Sequence, residues 1–322
     1  MPYINVDEAY ILDNTGLQVD QVVDIPYTDA ALTDGQKEQA RKNIAAGGTN
    51  PNLLDNPWFT VNQRGLSTYT LTGNAYFVDR WKSSGGNTIT VSTNGISIVA
   101  GTGTHQNLIQ GCPIIGDLLG RTVTASVMSQ TGEISSVTFT LPSSISSGSY
   151  YDGGYGMVDS VALRVLVANT YSGLPGGYAF WLYSSSTAQT VTYRAVKLEL
   201  GTVSTLANDT PPNYAEELAK CQYYFRRLYT TTGMDALPAL AVSATAADVI
   251  NWNGGLQMRP VNGTVTYSGT VKVYDGSDHA VTAIGDTLSG TQRRLRFTTT
   301  GLTAVTACYI TLNGNIDISC DL

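Results

Sequence analysis

Cys308-Tyr309-Ile310-Thr311-Leu312-Asn313-Gly314-Asn315-Ile316-Asp317-Ile318-Ser319-Cys320 is the stretch whose pattern decides the fold class. Apolar and polar residues alternate on both sides of Gly314, the period of a strand with one buried face. A three-residue loop centred on Gly314 would set Leu312 opposite Ile316, Ile310 opposite Ile318 and Cys308 opposite Cys320, all on one face. A two-residue Asn-Gly turn would pair Leu312 with Asn315 and mix the faces, so the pattern selects the longer loop. The hairpin also brings Cys308 to Cys320, a cross-link for an oxidising medium; synthesis in a cytosol favours free thiols.

The same signal recurs upstream. Between residues 51 and 201, short β-rich runs alternate with Gly, Ser and Asn turns: Thr88–Val91, Thr122–Val127, Val137–Leu141, Val161–Val167 and Val191–Leu198. Runs of this length, uninterrupted by helical pattern, predict a β-sandwich. Trp58 and Trp81 are its expected core aromatics, with their N–H groups paired. Pro211-Pro212 then end the segment, and Asn213 is an N-cap with Glu216 three residues on. Tyr214, Leu218, Cys221, Phe225 and Leu228 recur at helical spacing, which predicts a linking helix with Cys221 buried and Arg226-Arg227 at its C-terminal end. Residues 235–322 return to strands.

The first fifty residues differ. Residues 1–32 lack strong periodicity, and Thr33-Asp34-Gly35-Gln36 fits a capping box opening a helix that Gly47-Gly48 stops. Its apolar stripe of Leu32, Ala40 and Ile44 is thin, which suits either a surface helix or a small parallel bundle about a symmetry axis. The expected organisation is an attachment segment and short helix over 1–50, a β-sandwich over 51–212, and a linking helix with a C-terminal β-sandwich over 213–322.

Composition restricts the function classes. Charged residues are 13%, and the balance is made up by Ser, Thr, Gly, Asn and 19 tyrosines, a surface for neutral polar ligands rather than ionic ones. The net charge of −7 argues against phosphate-backbone and anionic-lipid binding, so neither nucleic acid nor a membrane is an expected partner. The start, Met1-Pro2-Tyr3-Ile4-Asn5, lacks the basic and apolar regions of a signal peptide, and no apolar run reaches the ~20 residues of a membrane span. Cys112, Cys221, Cys308 and Cys320 form no C-x-x-C pair, so neither a zinc site nor a cofactor is expected.

Catalytic patterns are equally sparse. His105 and His279 lie in turn-rich stretches with no nucleophile elbow nearby. Asp152, Asp159, Asp275, Asp278 and Asp286 show no spacing that demands an acid–base pair. Binding has better candidates. Ser149-Tyr150-Tyr151-Asp152-Gly153-Gly154-Tyr155-Gly156 sets three tyrosines and a carboxylate among glycines: aromatic faces stack on sugar rings, and Asp and phenol groups take their hydroxyls. The competing reading is a loop whose tyrosines fold back on the sandwich. Trp252 and Asn253 form a second candidate, and Tyr274, Asp275, Asp278 and His279, on an expected hairpin tip, a third.

Several runs carry a family resemblance. Leu32-Thr33-Asp34-Gly35-Gln36-Lys37-Glu38-Gln39-Ala40-Arg41-Lys42-Asn43-Ile44 resembles a helix of phage tail-fibre proteins. Asn52-Leu53-Leu54-Asp55-Asn56-Pro57-Trp58-Phe59, Val61-Asn62-Gln63-Arg64-Gly65 and Val78-Asp79-Arg80-Trp81 resemble the opening of a jelly-roll domain of phage and prophage tail proteins. Leu119–Thr124 and Ala195–Gly201 are similar to its later strands, Glu216–Tyr224 to the helix that follows it, and Gln257-Met258-Arg259-Pro260 to a strand of a C-terminal β module. These runs fall in order from about residue 30 to 260.

The resemblance implies a virion fibre with a receptor-binding role; the expected place is the tail, synthesis is expected in the host cytoplasm, and the sparse catalytic patterns predict no enzymatic activity. It implies a homotrimer that meets other virion proteins through its N-terminal segment. It also implies jelly-roll domains resembling carbohydrate-binding modules, without naming a receptor; the expected contact of the two sandwiches, the C-terminal one outermost, is a host surface polysaccharide or other cell-wall glycan during adsorption. A purely structural capsid or baseplate fibre and a glycan depolymerase are the alternatives.

Overall fold

Period-two runs become strands where the alternation predicts them. The computed structural model describes residues 50–101, 105–158, 161–169, 177–184, 190–229, 235–250, 258, 263–289, 292–304 and 306–320. The helix expected after Thr33, the segment before it, and the candidates Trp252 and Asn253 lie outside the described residues. The described part of the first body holds β1 (Thr68–Thr70), β2 (Ala75–Val78), β3 (Trp81–Ser83), β4 (Thr88–Ser92), β5 (Gly95–Val99), β6 (Asn107–Gly111), β7 (Thr122–Met128), β8 (Ile134–Thr140), β9 (Tyr150–Val158), β10 (Val161–Asn169), β11 (Tyr178–Ser184), β12 (Thr190–Tyr193) and β13 (Ala195–Leu200).

One antiparallel sheet runs β2-β3-β6-β11-β10-β9; two smaller ones run β1-β4-β5-β12 and β13-β7-β8. β12 and β13 are one chain segment interrupted at Arg194, whose N–H bonds Met128 O at 2.7 Å, so the smaller sheets act as one kinked layer. Phe77, Trp81, Phe180 and Leu182 of the large sheet share a core with Ile89, Ile96, Phe139 and Tyr193 of that layer. The chain changes layer after β1, β3, β5, β6, β8 and β11, the back-and-forth of a jelly roll.

Helix α1 (Tyr214–Gln222) opens on Asn213, whose side chain accepts from the N–H groups of Ala215 and Glu216. Cys221 is buried as expected, but the helix stops earlier than its apolar stripe predicts. Phe225–Tyr229 is β14, a strand paired residue for residue with the end of the chain, which places Arg226 and Arg227 in a sheet rather than at a helix end. Long-range pairing outweighs helix propensity here, because each β14 residue gains a ladder partner.

The rest of the second body is β15 (Asp235–Ser243), β16 (Ala246–Ile250), β17 (Thr264–Tyr267), β18 (Thr270–Tyr274), β19 (Asp278–Ala280), β20 (Ala283–Ser289), β21 (Gln292–Thr298), β22 (Ala307–Asn313) and β23 (Asn315–Ser319). Its sheets run β14-β23-β17 and β19-β18-β22-β15-β16-β21-β20. The protein is therefore mainly β, with short helices between and beside its sandwiches, the class the alternation predicts.

The closing hairpin is corrected. β22 and β23 belong to different sheets and do not pair; Gly314 is a corner at which one long strand leaves the seven-stranded sheet for the three-stranded one. The face assignment is unchanged: Cys308, Ile310, Leu312, Ile316, Ile318 and Cys320 are all buried in one core. β17 and β18 make the same passage alongside, through Ser268 and Gly269. A Cβ on Gly314 (φ 141°) would sit 2.1 Å from Ser268 O, and one on Gly269 would sit 1.8 Å from Asn313 O. Two glycines thus let the backbones touch where both strands turn. Cys308 and Cys320 end at opposite ends of the bent segment, both buried and neither in a disulfide.

The runs that resemble the tail-protein jelly roll build the junction between the bodies. Asn56 (φ 50°), fully buried, donates to Val61 O (2.8 Å) and Asp79 O (2.9 Å) and accepts the Val61 N–H (3.0 Å). Its backbone N–H reaches Glu217 Oε1 of α1 at 2.5 Å, and its carbonyl takes the Trp81 indole N–H at 2.9 Å. Gln63 Nε2 donates both to Asp79 Oδ1 (2.8 Å) and to Phe225 O (2.9 Å). The Arg80 guanidinium bonds Asp55 and stacks 3.4 Å over the Tyr224 ring; Arg227 joins Asp317 to the carbonyl of Arg64. The second body is held to the first through α1 and β14 by buried hydrogen bonds, not by a flexible linker.

Candidate functional site

Tyr150–Tyr155, expected in a loop, lies in β9, the edge strand of the six-stranded sheet. Its glycines answer to packing: a Cβ on Gly153 would fall 2.9 Å from the Phe139 ring, and one on Gly156 would fall 3.0 Å from Val137 and Ser135. Strand parity, reversed by a bulge at Gly153, sorts the candidates. Tyr151 packs against the core, its ring 6.2 Å from Phe139. Tyr150 and Tyr155 point outward, 62% and 66% exposed.

The sequence reading missed what binds these residues together. Arg164 of β10 faces Tyr155 in register; its Nε and Nη2 donate to Asp152 Oδ2 at 2.9 and 2.5 Å. Its guanidinium lies 5.9 Å from the Tyr150 ring centroid and 5.6 Å from that of Tyr155. Asp152 and Arg164 stay 36% and 29% exposed. The Arg164 hydrogen bond holds the Asp152 carboxyl below its ordinary value of 3.8. Arg164 was visible only as a charged residue on the polar parity of Val161–Val167; its partners follow from register.

The register continues this side across six strands, but it is not open throughout, since Ile109 and Leu166 are buried. Tyr76, Lys82, Ile109, Trp181, Leu166 and Asp152 form one cross-strand row over six strands. At a strand spacing of ~4.8 Å the row is about 24 Å long. Lys82 Nζ sits 4.5 Å from the Tyr76 ring centroid at the far end. His105, expected in a solvated loop, packs its ring 4.6 Å from Tyr183, and its Nδ1 lies 3.0 Å from Ser184 O.

The hairpin tip between β18 and β19 forms where the turn residues predict it, but its polar groups bond one another. Asp275 Oδ1 lies 2.8 Å from His279 Nε2, and its Oδ2 accepts the Thr303 N–H at 2.9 Å. Ser277 Oγ reaches the same His279 nitrogen, at 3.0 Å. A Ser-His-Asp relay needs its serine and carboxylate on opposite ring nitrogens. This trio shares one and works as a turn lock. Tyr274 and Asp278 remain exposed, Asp278 paired with Lys272 at 2.6 Å.

A groove of about 560 Å³ lies beside the β1–β4 edge, with Trp58, Phe59 and Leu66 against a rim of Thr60, Ser67 and Thr93. Among the described residues no cluster of three metal-ligating side chains occurs. Burial pushes the Cys112 thiol up to about 12 and raises Cys221 and Cys308 as well, so these three are poor nucleophiles. No family model, curated protein or solved structure matches the chain.

Proposed function

We propose that this chain is a bacteriophage fibre protein, of the tail, that adheres to a host-surface glycan, with the outward side of β9 and β10 around Arg164 and Asp152 as its contact surface. The observation that carries the reading is the pair of exposed tyrosine rings on either side of a half-exposed Arg164–Asp152 pair. Aromatic faces take the apolar side of a sugar ring, while the guanidinium and carboxylate bond its hydroxyls. The order of tail-protein-like runs along the chain supports the virion assignment. In a homotrimer anchored to other virion proteins by its N-terminal segment, three weak sites act at high effective concentration.

Full-length protein on an array of bacterial surface polysaccharides, and in an adsorption assay with susceptible cells, tests this. Tyr150→Ala with Tyr155→Ala is expected to weaken binding about tenfold or more, with stability changed by less than about 0.5 kcal/mol, since both rings are exposed. Unchanged adsorption by the double variant would remove the sheet face from the proposal; no binding by the parent protein would favour a structural fibre.

A pH dependence follows. The folded pKa of Asp152 is depressed, so its contact with Arg164 is complete above 3.8 and is lost as pH falls through the lower folded value. Glycan binding is expected to hold from neutrality down past 3.8 and to fall only as the pH passes through the lower folded value. Asp152→Asn is expected to remove that acid limb; an acid limb of the same shape in the parent and in Asp152→Asn would contradict the role given to Asp152.

A further inference from the structure

The side of β13 turned away from the core carries Lys197 and Glu199, both fully buried. Segment 201–209 covers them: Thr124 Oγ1 donates to Gly201 O at 2.8 Å, Ser126 Oγ donates to Ser204 Oγ at 2.7 Å, and Leu206 packs with Trp58 and Met128. Lys197 Nζ donates to Asp209 Oδ1 and to Thr205 Oγ1, each at 2.7 Å. Glu199 accepts the Thr205 N–H (2.8 Å) and hydroxyl (2.6 Å), and its Oε2 stands 3.7 Å from Lys197 Nζ. One amine therefore touches one carboxyl, with a second carboxyl beside it, and only Asp209, 13% exposed, meets water.

We propose that Lys197 and Asp209 condense into an intramolecular side-chain amide, with Glu199 as the proton shuttle. Proton transfer within the pair gives a neutral amine and a neutral acid, the forms that tolerate burial best. The Nζ lone pair attacks Asp209 Cγ and a C–N bond forms. Glu199 accepts a proton from the nitrogen and delivers it to the departing Asp209 oxygen, whose C–O bond breaks and which leaves as water. Ammonium plus carboxylate become amide plus water; no oxidant or activating group is consumed, and Glu199 ends as it began.

Three features favour condensation over a lasting ion pair. The reacting groups are held in contact by a strand and its covering segment, which supplies the effective molarity that activation otherwise provides. The exchange replaces two buried charges by a neutral amide and so removes their desolvation cost. Glu199 loses the ammonium 3.7 Å away but keeps both Thr205 donors, so its carboxylate stays hydrogen-bonded after the reaction. The product would tie segment 201–209 to β13 permanently.

Intact-mass spectrometry of the denatured full-length protein reads the bond directly. The expected mass is one water below that of the sequence, with a branched peptide joining Lys197 and Asp209 in a protease digest. Lys197→Arg is expected to restore the full mass and Asp209→Asn to condense with loss of ammonia instead of water. Glu199→Gln is expected to leave the folded chain uncondensed. A parent mass equal to the sequence mass after long incubation of folded protein overturns the proposal, as does a one-water deficit that persists in Lys197→Arg. A deficit that persists in Glu199→Gln overturns the role given to Glu199.

Discussion

Gly314→Ala is expected to destabilise the C-terminal body by about 4 kcal/mol, the sum of overpacking and backbone strain at about 1–3 kcal/mol each. The added methyl would fall 2.1 Å from Ser268 O, and φ 141° is a conformation that L side chains rarely adopt. Neither neighbour can retreat, because β17 pairs with β23 and β18 with β22 immediately on either side. Gly269→Ala is expected to be as damaging, since its methyl would meet Asn313 O at 1.8 Å. A hairpin at Gly314 would make no such demand on Gly269, so the pair of variants separates a corner from a turn. Gly285→Ala in β20 meets nothing within 4 Å and is expected to stay within about 0.5 kcal/mol of the parent. Urea unfolding of the three variants checks the set; a mild Gly269→Ala beside a severe Gly314→Ala would restore the hairpin.

Asn56→Ala is expected to cost about 4 kcal/mol as well, at the junction. Three buried hydrogen bonds are lost, to the N–H and carbonyl of Val61 and the carbonyl of Asp79, and the Val61 carbonyl keeps a longer bond from the Asp79 N–H at 3.3 Å. Each unpaired buried group costs about 1–3 kcal/mol, and alanine tolerates the left-handed backbone at φ 50° less well than asparagine. The strained backbone also aims the Asn56 N–H at Glu217 of α1, so the loss is expected to spread to the second body. Lower urea midpoints together with faster proteolysis near Pro211-Pro212 would record this. A variant unfolding within about 1 kcal/mol of the parent would mean that the bodies are held by other contacts.

The candidate face was half legible. Tyr150, Asp152 and Tyr155 stand out as aromatic and acidic residues among glycines, but plain alternation would set Tyr155 on the face opposite Tyr150 and Asp152; the bulge at Gly153 is what brings all three outward. Arg164, which gathers them, lies nine residues beyond Tyr155, and Trp181 enters the same face from the next strand. Which strands neighbour one another depends on packing of the whole sheet, which no local pattern encodes. Asp275 and His279 show the opposite case. Their types suggest ligand contact, but the tip folds so that Thr303, a residue distant in sequence, completes Asp275 and leaves it little to offer a ligand.

At the closing stretch the division is sharpest. Alternation from Cys308 to Cys320 determined that six side chains enter a core, because successive Cβ atoms on an extended chain point to opposite faces whatever lies beside them. It could not decide whether Gly314 folds the chain back or carries it round a corner, since both keep those six residues on one side. That choice fell to the tertiary structure. β23 pairs with β14 and β17, and β22 with β15 and β18, so each half has a strand on both sides and leaves no edge for a hairpin to fill.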